Sequence, residues 1–397
     1  MRLSKPVFLL FICAGYFINN SLIAQTTPEA SVPFILNYDH IIIQLRLDGS
    51  RPLNFLFDSG AGGTLISQAV ADSLGFRSIL KRKNIGVTGT HKVGVIKGIK
   101  LELSDQKLGN ITLLSTDKPF EELDDGRKVD GVIGYPILSK YVVEIDYITR
   151  QLKLYDRNKY SYNGGGYTVP IKLESNLPIT RTTIQLYSGV EVKGNFLVDT
   201  GARSYMIMSS PTVIKYDMAE NIGKYYTIRA VIGSSQKRTK IRFGKLQSVQ
   251  FGGQSFAHVP VILSSDNKGV LSMANLDGII GNRLLMRFNV IFDYGRGLVH
   301  LQPNKFIDDG YYINSSGFNI SFTAGKPFIK NVVDRSPADR AGLRNGDELI
   351  SINGKLVKLM STDDIRQSFF NAGDKMAIVI KRNRKLKYTE FTLKSLI

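Results

Sequence analysis

Apolar and polar residues alternate with a period of two in two pairs of short runs. One pair is Val142-Val-Glu-Ile-Asp-Tyr147 with Gln151-Leu-Lys-Leu-Tyr155. The other is Asn289-Val-Ile-Phe-Asp-Tyr294 with Leu298-Val-His-Leu301, joined at Gly295-Arg-Gly297. Such alternation puts one face of a strand in a core and the other toward water, so each pair predicts a hairpin. Residues 84–103 and 225–243 add β-branched strands broken by glycine. Helical signals are brief. Ser67 is expected to cap a helix over Gln68–Leu74 that stops at Gly75, and Ser210 to cap another with Pro211 at its first position. Further short helical pieces are expected over Pro136–Tyr141 and Arg283–Phe288. The body is therefore mainly β with short helices.

The pattern is written twice. Asn54–Ala61 is NFLFDSGA and Asn195–Ala202 is NFLVDTGA, identical at six of eight positions. Asp130-Gly-Val-Ile-Gly134 returns as Asp277-Gly-Ile-Ile-Gly281, each followed by a short helix and a hairpin. A repeat on this scale predicts two lobes of one architecture. Asn163-Gly-Gly-Gly166 reads as a flexible join between them. After Pro303 the pattern changes: Ser336-Pro-Ala opens a capped helix, Asn353-Gly354 closes a strand, and a second helix is expected over Asp363–Asn371. The expected divisions are 1–24, 25–162, 163–304 and 305–397.

Length and composition agree with this division. The chain has 397 residues, 43% of them hydrophobic, enough for two or three packed domains. Arg2 and Lys5 precede an apolar run that ends near Ala24, which predicts an export signal over 1–24 and a periplasmic or envelope location. The only cysteine, Cys13, lies in that segment. Disulfides, thiolate metal sites and cysteine nucleophiles are thereby excluded from residues 25–397. The net charge is +18, or +16 after removing Arg2 and Lys5 (18 − 2). The basic residues are scattered, without interleaved aromatics, so anionic envelope surfaces are the expected electrostatic partner and nucleic acid is not.

Chemistry enters with the repeated Asp. Asp58 and Asp199 each end an apolar strand and are followed by a hydroxyl residue and a glycine. A pseudo-twofold axis between lobes would bring the two carboxyls face to face. Two carboxyls so placed cannot both ionise easily, so they share a proton and supply one acid and one base. A water between them could then attack a peptide carbonyl.

These motifs resemble those of the two-lobed aspartic proteases of the pepsin and retropepsin clan. The likeness covers roughly residues 30–303 and implies duplicated β-barrel lobes. It implies Asp58 and Asp199 as the catalytic pair, with Ser59 and Thr200 cross-linking their loops through hydroxyls. Gly60 and Gly201 complete the two turns, and Gly134 and Gly281 close the loops around them. Family members cover the cleft with a hairpin flap, and the candidates are Val87, Thr88 and Gly89 in lobe 1 and Ile232, Gly233 and Ser234 in lobe 2. Neither carries the tyrosine usual in pepsins. Ala61 and Ala202 stand where pepsins place a hydroxyl, removing a hydrogen bond that would stabilise ionised carboxylates. A milder pH optimum is expected, about 4.5–6.5.

Residues 305–397 resemble a PDZ domain, an α+β module. That likeness implies capture of peptide tails, with Gly317 and Phe318 in the carboxylate loop and Asn319 and Ile320 beginning the pairing strand. The loop is Ser315-Ser-Gly-Phe318 rather than Gly-Leu-Gly-Phe. No cofactor or metal is expected. His40, His91, His258 and His300 lack metal-ligand spacing and are expected to be surface or packing residues. No Gly-x-Ser-x-Gly motif supports a serine hydrolase. The expectation is a monomeric, exported aspartic endopeptidase acting on peptides or proteins. The alternative is an inactive peptide-binding envelope protein that uses the same cleft and PDZ domain.

Overall fold

The computed structural model describes residues 27–397 except 87–88, 119, 121, 124–125 and 231–238. The expected export signal with Cys13 lies outside the described residues, as do the flap candidates Val87, Thr88, Ile232, Gly233 and Ser234.

Each lobe is built around an apolar strand whose alternate side chains are fully buried. In lobe 1 this is Leu53–Phe57, with Leu53, Phe55 and Phe57 all at 0% exposure. It lies parallel to Gly131–Ile133, with Phe57 opposite Ile133, and that strand runs antiparallel to Thr64–Ser67. Lobe 2 repeats the arrangement. Glu191–Asp199 lies parallel to Gly278–Gly281, with Asp199 opposite Gly281, and Gly278–Gly281 runs antiparallel to Met206–Met208. Parallel neighbours buried on both faces read as continuous apolar runs, which is why Val-Ile-Gly and Ile-Ile-Gly carry no polar alternation.

The lobes meet in a six-stranded sheet. The Tyr141–Asp146/Gln151–Asp156 hairpin of lobe 1 pairs with the Phe288–Asp293/Leu298–Pro303 hairpin of lobe 2 through Val143 opposite Phe292 and Ile145 opposite Val290. A single core cluster runs from Phe55 and Phe57 through Val143 and Val290 to Phe196 and Phe288. The lobes are thus fixed to each other by a shared apolar layer.

The short helices start and stop differently from expectation. The first covers Gln68–Ser73, and Ser67 makes no side-chain cap bond. In lobe 2 the cap position is Ser209, which moves Ser210 into the helix Ser210–Lys215; the Ser210 hydroxyl is turned inward to Ser264 and the Asp266 carbonyl. The two later pieces are Tyr135–Leu138 and Asn282–Leu285, each beginning directly after the motif glycine. The join is not slack. Tyr162 stacks on His300 at 3.8 Å, and a Cβ on Gly166 would lie 2.4 Å from the Leu301 carbonyl oxygen. Gly164 and Gly166 serve close approach to Gln302 and Leu301 of the inter-lobe sheet, while Gly165 meets nothing within 4 Å.

The C-terminal unit has its own sheet, in the order Asn319–Thr323, Lys326–Lys330, Glu348–Ile352, Lys375–Arg382, Lys385–Thr392, and its own core around Phe318, Ile329, Leu349, Phe369 and Ile378. Ser336 caps Pro337–Arg340 by accepting from the Asp339 N–H. The second helix is Thr362–Gln367, begun by a reciprocal capping box between Ser361 and Asp364 and shorter than the expected Asp363–Asn371. Among the described residues Asn319–Thr323 pairs only with Lys326–Lys330, so it forms the edge of the sheet.

Candidate active site

Several letters of the repeat have a structural reason in both copies. In lobe 1 the Asp130 carboxylate accepts the Asn54 N–H at 2.8 Å, while the Asp130 N–H donates to the Asn54 carbonyl at 2.8 Å. Asp277 and Asn195 make the same pair of bonds at 2.9 and 2.8 Å. Each Asp-Gly-hydrophobic-hydrophobic-Gly strand is thereby pinned in register beside its Asp strand. The closing glycines leave no room for a side chain. A Cβ on Gly134 would sit 1.8 Å from the Asp58 carbonyl oxygen, and one on Gly281 would sit 2.2 Å from that of Ser204.

Between the lobes, the two turns are cross-linked reciprocally. The Ser59 N–H donates to Thr200 Oγ1 at 2.9 Å, and the Thr200 N–H donates to Ser59 Oγ at 3.0 Å. Each hydroxyl then donates onward: Ser59 to the Val198 carbonyl at 2.8 Å and Thr200 to that of Phe57 at 3.2 Å. Both side chains are fully buried, so every bond replaces water that cannot reach the groups. Four bonds across a pseudo-twofold axis leave the loops little freedom to separate. Tyr294, from the inter-lobe hairpin, supports them by donating its hydroxyl to the Ser59 carbonyl at 3.4 Å.

This cross-link aims the two carboxyls at each other. The Gly60 N–H donates to Asp58 Oδ1 at 2.7 Å, and the Gly201 N–H to Asp199 Oδ1 at 2.8 Å. A Cβ on Gly201 would lie 2.4 Å from Asp58 Cγ, and one on Gly60 would lie 2.6 Å from Asp199 Cγ. Each carboxyl thus rests against the glycine of the opposite turn. The two carboxyls are close enough that each perturbs the protonation of the other. Burial pushes Asp58 above the ordinary carboxylate range, opposed by the Asp199 side chain, the Gly60 and Gly201 backbone and the charge of His40. Asp199 is pushed well above it, first by burial and then by the negative charge of Asp58. An acid and a base side by side, in a pair that resists full ionisation, suit general acid–base chemistry on a water.

His40 is one of the buried packing positions, and it does more than fill space: its Nε2 bonds the Gly201 carbonyl at 2.9 Å. Because that oxygen only accepts, Nε2 carries the hydrogen. Its position next to a tight turn, Tyr38-Asp39, was the sequence signal available, and nothing local linked it to a residue 161 positions away.

In the flap region of lobe 1, Gly89 pairs with Gly86 at the end of the Leu80–Gly86/Gly89–Leu103 hairpin. Lobe 2 holds the matching hairpin, Tyr226–Ala230 with Thr239–Lys245. In the C-terminal unit, Phe318 is a core side chain against Phe369 at 4.9 Å, and its N–H is taken by Ser316 Oγ at 3.3 Å. Gly317 has φ +85° and packs on Ser336. Asn319 and Ile320 begin the edge strand.

Comparison with known proteins points the same way for both units. A family model described as aspartyl protease matches residues 43–137, and one described as PDZ domain matches residues 328–382. The chain is also similar to the crystal structure of an aspartic proteinase from Irpex lacteus, with 15% identity over 70% of this chain and 98% of that one, at a TM-score of 0.46. The family matches thus liken lobe 1 to an aspartyl protease and the terminal α+β unit to a PDZ domain.

Proposed function

We propose that the protein is an exported aspartic endopeptidase that hydrolyses peptide bonds with a water activated between Asp58 and Asp199. The observation that carries this reading is the reciprocal seating of each carboxyl against the opposite glycine, over loops locked by Ser59 and Thr200. The ionised member of the pair takes a proton from the water as its oxygen attacks the peptide carbonyl. The protonated member donates to the carbonyl oxygen, and the tetrahedral intermediate collapses as a proton passes to the departing amine. The proton belongs to the pair rather than to either residue. The hairpin ending at Gly86–Gly89 would fold over bound peptide, and Ile85 near its tip is 59% exposed, an apolar surface suited to substrate side chains. The PDZ domain would receive peptide tails along its edge strand or regulate the cleft, and the envelope location follows from the basic and apolar first residues.

The sign of the pH dependence follows from the pair. Only the singly protonated state has both an acid and a base. Acidification protonates both carboxyls and removes the base; alkalinisation ionises both and removes the acid. Because both carboxyls are raised, the active window moves above that of ordinary carboxylates. Assayed from pH 3 to 8 on casein and a peptide library, the protein is expected to cleave with an optimum at about pH 4.5–6.5. No cleavage anywhere in that range, or an optimum under about pH 3.5, contradicts the reading.

A further inference from the structure

The turn Tyr38-Asp39 joins Ile35–Asn37 to His40–Leu47, and both of its residues have positive φ, 49° and 68°. Two-residue turns of this kind favour Asn and Gly, and a bulky aromatic in left-handed backbone is an uncommon choice. The Tyr38 ring has unusual company. The Arg366 guanidinium of the PDZ helix Thr362–Gln367 lies 3.9 Å from its centroid, and that of Arg203 lies 4.6 Å away. Arg203 belongs to the Asp199 loop, four residues after the carboxylate. Arg366 is also 4.8 Å from the Phe322 ring on the PDZ edge strand, and its side chain is only 11% exposed.

The neighbouring residues tie the same turn to lobe 2. Asp39 bonds Arg283 Nε at 2.7 Å, its carbonyl accepts from Asn282 Nδ2 at 2.6 Å, and His40 donates to the Gly201 carbonyl at 2.9 Å. Three consecutive residues of lobe 1 therefore grip the Asp199 loop and the helix Asn282–Leu285 beside it, while the ring of the first meets the PDZ domain. The PDZ domain is seated independently by an apolar contact of Val333 with Ile228 and Ile241 of the lobe 2 hairpin.

We propose that Tyr38 is a positioning residue that couples the docked PDZ domain to the Asp199 loop, so that the Arg366–Tyr38–Arg203 contact helps hold the lobe 2 carboxyl in register. This rests on the reading of Asp58 and Asp199 as the reacting pair. Guanidinium–aromatic contacts strengthen when withdrawn from water, as the low exposure of Arg366 requires here. Loss of either partner loosens the hold on the ring, which keeps only a longer contact with Arg283 at 5.8 Å, and with it the Tyr38-Asp39 turn beside His40.

The test uses the full chain. Tyr38→Asn removes the ring while supplying a residue the turn prefers. Arg366→Ala removes the PDZ partner, and Arg366→Lys keeps the charge without the planar face. Tyr38→Asn and Arg366→Ala are each expected to lower kcat about tenfold with KM changed less than about twofold. Both should speed amide exchange across residues 195–205, leaving 54–61 and 375–392 at the parent rate. Tyr38→Phe should behave as the parent, Arg366→Lys should fall between, and the double variant should be no worse than either single one. Unchanged exchange at 195–205, equal acceleration in all three segments, or additive effects in the double variant would overturn the coupling. If the parent cleaves nothing, the endopeptidase reading fails, and the exchange data still decide the coupling.

Discussion

Replacing Asp58 with Asn is expected to lower kcat for peptide hydrolysis by about 10²–10⁴-fold with little change in KM. Asn keeps the volume of the carboxyl and can still accept from the Gly60 N–H, which now donates to Asp58 Oδ1 at 2.7 Å. The turn therefore has no reason to move. What disappears is the shared ionisation, since an amide neither takes a proton from water nor passes one to the amine. Asp199→Asn should do the same, because the two turns are equivalent in their bonds. Groups that act as a unit do not contribute separately, so the double variant should be scarcely worse than either single one. Steady-state kinetics on a library-derived peptide decide this; either variant within about threefold of the parent would mean that some other group does the chemistry.

Gly201→Ala is the second large effect, and it tests position rather than chemistry. The added methyl would lie 2.4 Å from Asp58 Cγ, a distance no real contact tolerates, so the carboxyl must swing away. Gly60→Ala presses on Asp199 in the same way, at 2.6 Å. Neither glycine has positive φ, so the backbone itself accepts alanine and the fold should survive. A displacement of about 1 Å in a reacting group costs about 10²-fold in rate, and that is the loss expected for each substitution. Gly310→Ala, which meets nothing within 4 Å, should leave kcat and the melting temperature unchanged. Full activity in Gly201→Ala would show that the pair does not work in the close arrangement described.

How much of this could be read from the letters depends on the range over which each feature acts. The two Asp turns, their hydroxyl neighbours and the motif glycines were legible because the chain states them twice, and a repeated turn implies an axis. The cross-linking role of Ser59 and Thr200 came from the family resemblance rather than from the repeat itself. Helix ends were less legible. Ser67 and Ser210 have the composition of caps, yet the Ser210 hydroxyl has stronger partners in Ser264 and Asp266, and the helix begins one residue earlier. The glycine run at 163–166 looked slack because composition cannot show that Leu301 and Gln302 lie against it. His40 and Tyr38 were illegible for a related reason. Their partners, Gly201, Arg203 and Arg366, come from other units, and no spacing rule connects positions so far apart. The Phe318 side chain went to the PDZ core, which the edge-strand pattern alone did not specify.

The same distinction separates what holds the fold from what the site requires. The inter-lobe sheet and its apolar core would persist with either Asp removed. The part of the Asp199 proton affinity that comes from its partner would not, since after burial the charge of Asp58 is the next cause of its rise. Titration of the Asp side-chain carbons by NMR, in the parent and in Asp58→Asn, therefore probes the shared proton most directly. In the parent, one member of the pair should titrate well above the ordinary value of about 4, and in Asp58→Asn the Asp199 step should move down from its parent position. Two steps in the ordinary range, or an Asp199 step that ignores the loss of its partner, would contradict the coupled pair.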